Sequence, residues 1–116
     1  MEGKETLKVT LDALEELKAR DLRVIDVSML TSITDYMVIA SGTSGRHVCS
    51  IADHLIEEIK AAGCRPLGVE GMESGEWVLV DLQDVVVHIM QPKTRDFYKL
   101  ENLWEMGNDG AGASSG

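Results

Sequence analysis

The chain has 116 residues, 44% of them apolar and 27% charged, which fits one domain with one hydrophobic core and excludes a repeat array, a fibrous protein and wholesale disorder. Its 20 Asp and Glu against 11 Lys and Arg leave a formal net charge of -9, so the summed field repels nucleic-acid phosphates and anionic lipid and favours a cationic partner. No apolar leader opens the chain and its longest apolar run, residues 36–40, falls far short of the roughly 20 residues of a membrane span, so a cytoplasmic protein without a membrane partner is expected.

Leu7, Leu11, Leu14 and Leu17 recur at steps of four, three and three between charged residues, which predicts a helix with one apolar stripe laid on a sheet. Residues 23–27 are rich in Val and Ile, and residues 36–40 are continuously apolar. Both are predicted strands, the second buried on both faces, with residues 28–34 as the loop between them. Ser41, Gly42, Thr43, Ser44 and Gly45 then form a tight turn. Ser44 is the candidate cap of a helix whose buried positions are Val48, Ile51, Ala52, Leu55 and Ile59. Gly63 and Pro66 end that helix, and residues 67–70 are a candidate short strand.

Residues 77–82 and 85–90 flank Gln83 and Asp84 and predict an antiparallel hairpin. Pairing symmetric about those two residues sets Val78 against Ile89, Val80 against Val87 and Leu82 against Val85 on one apolar face. The reverse face collects Trp77 with Met90, Leu79 with His88, and Asp81 with Val86. A face of that mixed kind is either covered by a helix or kept for a partner. Phe97, Leu100 and Trp104 follow Pro92 at helical spacing, predicting a short last helix whose apolar side docks, with Phe97 in the core. Residues 1–106 therefore read as the domain and the Gly- and Ser-rich residues 107–116 as a disordered tail. Helices alternating with strands, then a hairpin, predict a single α/β domain with flanking helices on a mixed sheet of about five strands.

The turn from Ser41 to Arg46 has helix-start N–H groups and a guanidinium that suit an anion, which keeps residual nucleotide binding or a nucleotidyltransferase-like activity as the alternative function. Such a transferase needs paired carboxylates on the next strand to hold Mg²⁺. Here the turn is followed by Arg46, His47 and Cys49, and the first carboxylate is Asp53, inside the predicted helix. His47, Cys49, His54 and Cys64 match no tetrahedral metal spacing, and the two cysteines, without CxxC spacing, are expected as reduced thiols. No cofactor, metal or catalytic residue is expected. Trp77, Met90, Tyr98 and Trp104 are instead the side chains that anchor interfaces, and Glu70, Asp81, Asp84, Glu101 and Glu105 are expected to rim them, the layout that grips a basic protein surface.

Several ordered motifs identify a family. They are Thr34-Asp35-Tyr36-Met37-Val38-Ile39-Ala40-Ser41-Gly42-Thr43-Ser44, Glu70-Gly71, Trp77-Val78-Leu79-Val80-Asp81, Asp84-Val85-Val86-Val87-His88-Ile89, and Tyr98-Lys99-Leu100-Glu101-Asn102-Leu103-Trp104. From about Leu7 to Trp104 the chain resembles the ribosomal silencing factors, the RsfS or Iojap family. The resemblance implies a nucleotidyltransferase-like fold without the catalytic carboxylates and without enzyme activity. It also implies a translation repressor that binds the fourteenth protein of the large ribosomal subunit, blocks joining of the small subunit when nutrients are short, and forms a homodimer when free. Carried onto this sequence, the contact residues are Trp77, Leu79, Asp81, His88 and Met90 from the hairpin and Tyr98, Leu100 and Glu101 from the last segment. Met90 and Gln83 depart from the family's usual aromatic and glycine at those positions.

Overall fold

The computed structural model describes residues 2–99. In chain order the elements are α1 (Gly3–Glu16), β1 (Arg20–Asp26), β2 (Tyr36–Ser41), α2 (Gly45–Ala61), β3 (Gly68–Glu70), β4 (Trp77–Asp81), β5 (Val85–Met90) and α3 (Pro92–Tyr98). The strands make one sheet in the order β1-β2-β5-β4-β3. β2 and β5 run parallel at its centre and the other neighbours are antiparallel, so the expected five-stranded mixed sheet is present. The expected tail, and with it Leu100, Glu101, Trp104 and Glu105, lies outside the described residues.

One face of the sheet carries α1 and α2. Val38 and Ala40 of β2, Val78 and Val80 of β4, and Val85, Val87 and Ile89 of β5 meet the helices there in the main core. The hairpin register is the expected one, Val78 against Ile89 and Val80 against Val87, with the Leu82 N–H donating to Val85 O at 2.9 Å. Gln83 supplies the left-handed backbone of the turn, at φ +76°. Its N–H donates to Asp81 Oδ1 at 2.9 Å, which holds a residue without glycine's freedom in that conformation.

α2 buries Val48, Ile51, Ala52, Leu55 and Ile59, the stripe its spacing predicts. Ser44 Oγ accepts from the His47 N–H at 3.1 Å, and Gly63 at φ +93° follows the helix. Gly42 sets the depth of the strand-to-helix turn, because a Cβ there would meet the Val48 side chain at 2.8 Å and its backbone N at 2.9 Å.

α1 differs from its leucine stripe. Thr6, Thr10, Ala13 and Leu14 are the buried positions, while Leu7, Leu11 and Leu17 are only partly buried at the edge of the core. The helix packs against α2 as well as the sheet, so small side chains occupy its line of closest approach and the larger leucines flank it. β1 also begins earlier than residue 23, at Arg20, across an irregularity between Arg20 and Arg23 where Asp21 has φ +53°.

The opposite face holds a smaller cluster of Ile25, Val27, Met37, Ile39 and Met90, with Trp77 partly buried against it. α3 returns over one end of this face. Its buried residue is Arg95, whose Nη1 donates to Ser41 Oγ at 3.0 Å. Phe97, expected in the core, is 79% exposed: the seven-residue helix docks through the guanidinium and turns its aromatic residues outward.

Candidate functional site

The expected contact residues of the hairpin share the sheet face that α1 and α2 leave free. Strand registry sets Glu70 of β3 beside Leu79 of β4, Leu79 beside His88 of β5, and Trp77 beside Met90. Trp77 is thus the diagonal neighbour of His88 on one face, within reach of a long aromatic side chain.

That diagonal is a hydrogen bond. The Trp77 Nε1–H donates to His88 Nδ1 at 2.9 Å, with ring centroids 5.8 Å apart and planes tilted by 51°. His88 is only 8% exposed, and burial holds its pKa down, from 6.5 to about 4, because an imidazolium there would lose its water. The ring is neutral near pH 7 with its proton on Nε2, since Nδ1 is the acceptor. A buried, fixed acceptor therefore clamps the indole.

From the indole the aromatic series continues outward. Trp77 and Tyr98 lie 4.8 Å apart between centroids, and Phe97 meets Tyr98 edge-on at 4.9 Å and 86°. Trp77 is half-buried, Tyr98 is 54% exposed, and Phe97 is the most exposed of the three. Rigid aromatic rings with one side in solvent are the side chains that carry binding energy at protein interfaces. Phe97 was legible only as a core residue, because helical spacing does not tell which side of so short a helix docks.

Beside the indole runs a groove of about 310 Å³ lined by Glu70, Gly71, Trp77, Leu79 and His88. Gly71 makes it possible. At φ +92° it passes the Trp77 carbonyl so closely that a Cβ would lie 2.0 Å from that oxygen. The Glu70-Gly71 pair is therefore a backbone requirement of the groove wall as well as a motif.

Other expected contact residues are placed differently. Met90 is fully buried and is corrected from a contact residue to a core residue. Its cross-strand neighbours Ser41 and Trp77 are both engaged by α3, through Arg95 and Tyr98, which closes the surface above it. His88 reaches the groove only by an edge, as its Nδ1 belongs to Trp77. Asp81 is partly buried and holds the hairpin turn. Asp84 is not on the aromatic rim: it sits in the turn, at the far end of the hairpin from Trp77, where its carbonyl accepts from the Asp35 and Tyr36 N–H groups at 3.0 Å. Leu100 and Glu101 lie outside the described residues.

The turn from Ser41 to Arg46 spends several of its polar groups internally, while the Arg46 side chain is exposed. The Thr43 N–H donates to His47 Nδ1 at 2.8 Å, His47 Nε2 donates to Leu17 O at 2.8 Å, and Ser44 Oγ caps α2. Asp53 is exposed on α2, and among the described residues no group of three or more His, Cys, Asp and Glu is placed to hold an ion. Cys49 and Cys64 are free thiols, and Cys49 Sγ donates to Met72 O at 3.2 Å. A hollow of about 810 Å³ between Ile56, Lys60, Cys64, Arg65 and Val69 opens beside the end of α2 and contains none of the aromatic residues. No helix among the described residues is long and apolar enough to cross a membrane.

The sequence model described as "Ribosomal silencing factor during starvation" matches residues 1–114. The chain is 47% identical over 104 residues to the ribosomal silencing factor RsfS of Chromobacterium violaceum, covering 90% of this chain and 85% of that one. It is 46% identical over 94 residues to the RsfS of Haemophilus influenzae, covering 81% and 92%. A crystal structure of a Chromobacterium violaceum protein superposes with a TM-score of 0.88 at 47% identity, covering 90% of this chain and 88% of that one. With matching motifs, matching fold and a family match across nearly its whole length, the chain belongs to the ribosomal silencing factor (RsfS) family.

Proposed function

We propose that this protein binds the large ribosomal subunit through its fourteenth protein and blocks joining of the small subunit, repressing translation when nutrients are limiting. The observation that carries this reading is the Trp77–Tyr98 pair, centroids 4.8 Å apart, partly open to solvent on a chain of net charge -9. An aromatic centre on an acidic molecule suits a Lys- and Arg-bearing protein surface, where the aromatic rings hold and the charges steer the encounter. Membership of the silencing-factor family supports the ribosome as the place of action.

Such a factor needs no turnover. It needs a strong anchor and enough volume to occupy the space of another body, and this fold has a radius of gyration of 13.7 Å and extends 41 × 32 × 21 Å. The protein acts in the cytoplasm, is a homodimer when free and binds the subunit as one copy.

Sedimentation with purified ribosomal subunits tests the reading. Wild type co-migrates with large subunits and lowers the yield of joined ribosomes. Trp77→Ala loses about 2 kcal/mol of binding, roughly 30-fold in Kd, as interface aromatics do. Tyr98→Ala, at a more exposed position, weakens binding in the same direction without loss of fold. Folded variants that bind as tightly as wild type, or a wild type that stays at the top of the gradient, refute it.

A further inference from the structure

We propose that the groove between Glu70 and Trp77 receives the cationic side chain of a basic residue on the docked partner. The inference rests on the docking role of the Trp77 face and goes beyond it in assigning one subsite and its chemistry.

The groove is built for a positive charge with an apolar stem. Glu70 supplies a full negative charge at one wall, and among the described residues it has no ion-pair partner. Trp77 also lines the groove, and an aromatic ring attracts a cation through its quadrupole. Leu79 supplies apolar surface for the methylene stem of a lysine or arginine. His88 completes the lining as a neutral ring whose Nδ1 is occupied by the indole N–H, so no like charge competes with the incoming cation. Among the described residues no Lys or Arg lines the groove, whose volume of about 310 Å³ accommodates an extended side chain. The net charge of -9 favours the approach of a basic surface, and the groove gives that attraction a geometric end point.

Binding of Glu70→Gln to purified large subunits, at two salt concentrations, provides the test. Glu57→Gln is the control: Glu57 is an exposed carboxylate on α2, whose helix packs on the other face of the sheet. If the groove holds a cation, Glu70→Gln weakens binding roughly five- to tenfold, as loss of a charge-assisted contact does, and flattens the salt dependence, while Glu57→Gln binds like wild type. Equal weakening by both variants means that only long-range charge matters and overturns the inference. Wild-type binding by Glu70→Gln, with Trp77→Ala still impaired, also overturns it and leaves the docking reading standing. Wild-type binding by folded Trp77→Ala and Tyr98→Ala instead removes the docking reading itself. Glu70 is exposed, so the melting temperature of Glu70→Gln stays near that of wild type.

Discussion

Replacing His88 separates its hydrogen-bonding role from its bulk. In His88→Asn the side-chain Oδ1 stands at the same bond count from the backbone as Nδ1, so an acceptor still faces the Trp77 Nε1–H, which is 2.9 Å from Nδ1 in the wild type. In His88→Leu the shape is roughly kept and the acceptor is gone, leaving a partly buried indole N–H unpaired at a cost of about 1–2 kcal/mol. The second consequence is a change in pH dependence. An unfolded chain takes up a proton on His88 near pH 6.5, whereas the folded protein takes it up only near 4 because burial disfavours the charged ring. Between those values the unfolded state binds more protons, so stability falls as pH falls through the window and the loss levels off below the folded pKa. The full loss from this one group is roughly 3 kcal/mol at 1.36 kcal/mol per pKa unit. Urea denaturation from pH 4 to 7.5 reads both effects, and the indole N–H resonance of Trp77, assigned against Trp104→Phe, reports the bond directly. Asn is expected to keep a hydrogen-bonded indole resonance and Leu to lose it, and both variants lose the His88 share of the acid destabilisation. A wild-type slope between pH 4 and 6.5 no steeper than that of either variant, or an indole resonance unmoved in His88→Leu, would refute the reasoning.

Gly71→Ala places a Cβ 2.0 Å from the Trp77 carbonyl oxygen at φ +92°, so a destabilisation of about 3 kcal/mol or more is expected in chemical denaturation, together with a shifted Trp77 emission; a loss below about 1 kcal/mol would mean that the backbone relaxes there freely. Thr10→Val removes a hydroxyl that is fully buried and has no hydrogen-bond partner among the described residues. Its side chain is nearly the same shape, so stability should rise by about 1 kcal/mol, and a fall in the urea midpoint would show that the hydroxyl is satisfied in solution.

The parts of this fold that depend on one segment's own periodicity were legible. The stripe of α2, its Ser44 cap and the hairpin register follow from spacing, because a helix face and a strand face are set by the chain that makes them. Much of the aromatic site followed from the same register, since Trp77, Leu79 and His88 were bound to share a face once Val78 met Ile89. α1 shows where that logic stops. Its leucines mark an amphipathic helix, yet which flank of the stripe goes deepest was decided by α2 lying against it.

The sequence by itself determined the elements, the mixed sheet and the family, through motifs whose order along the chain needs no partner to be read. Tertiary structure alone decided that Met90 is sealed while Phe97 is exposed, that His88 is a neutral clamp on Trp77, and that Asp84 belongs to a turn far from the aromatic rings. The physical reason is that burial and hydrogen-bond partners are properties of what packs over a residue. Here that covering is the return of α3 across the sheet, held by Arg95 on Ser41, a contact between residues 54 positions apart that no local pattern encodes.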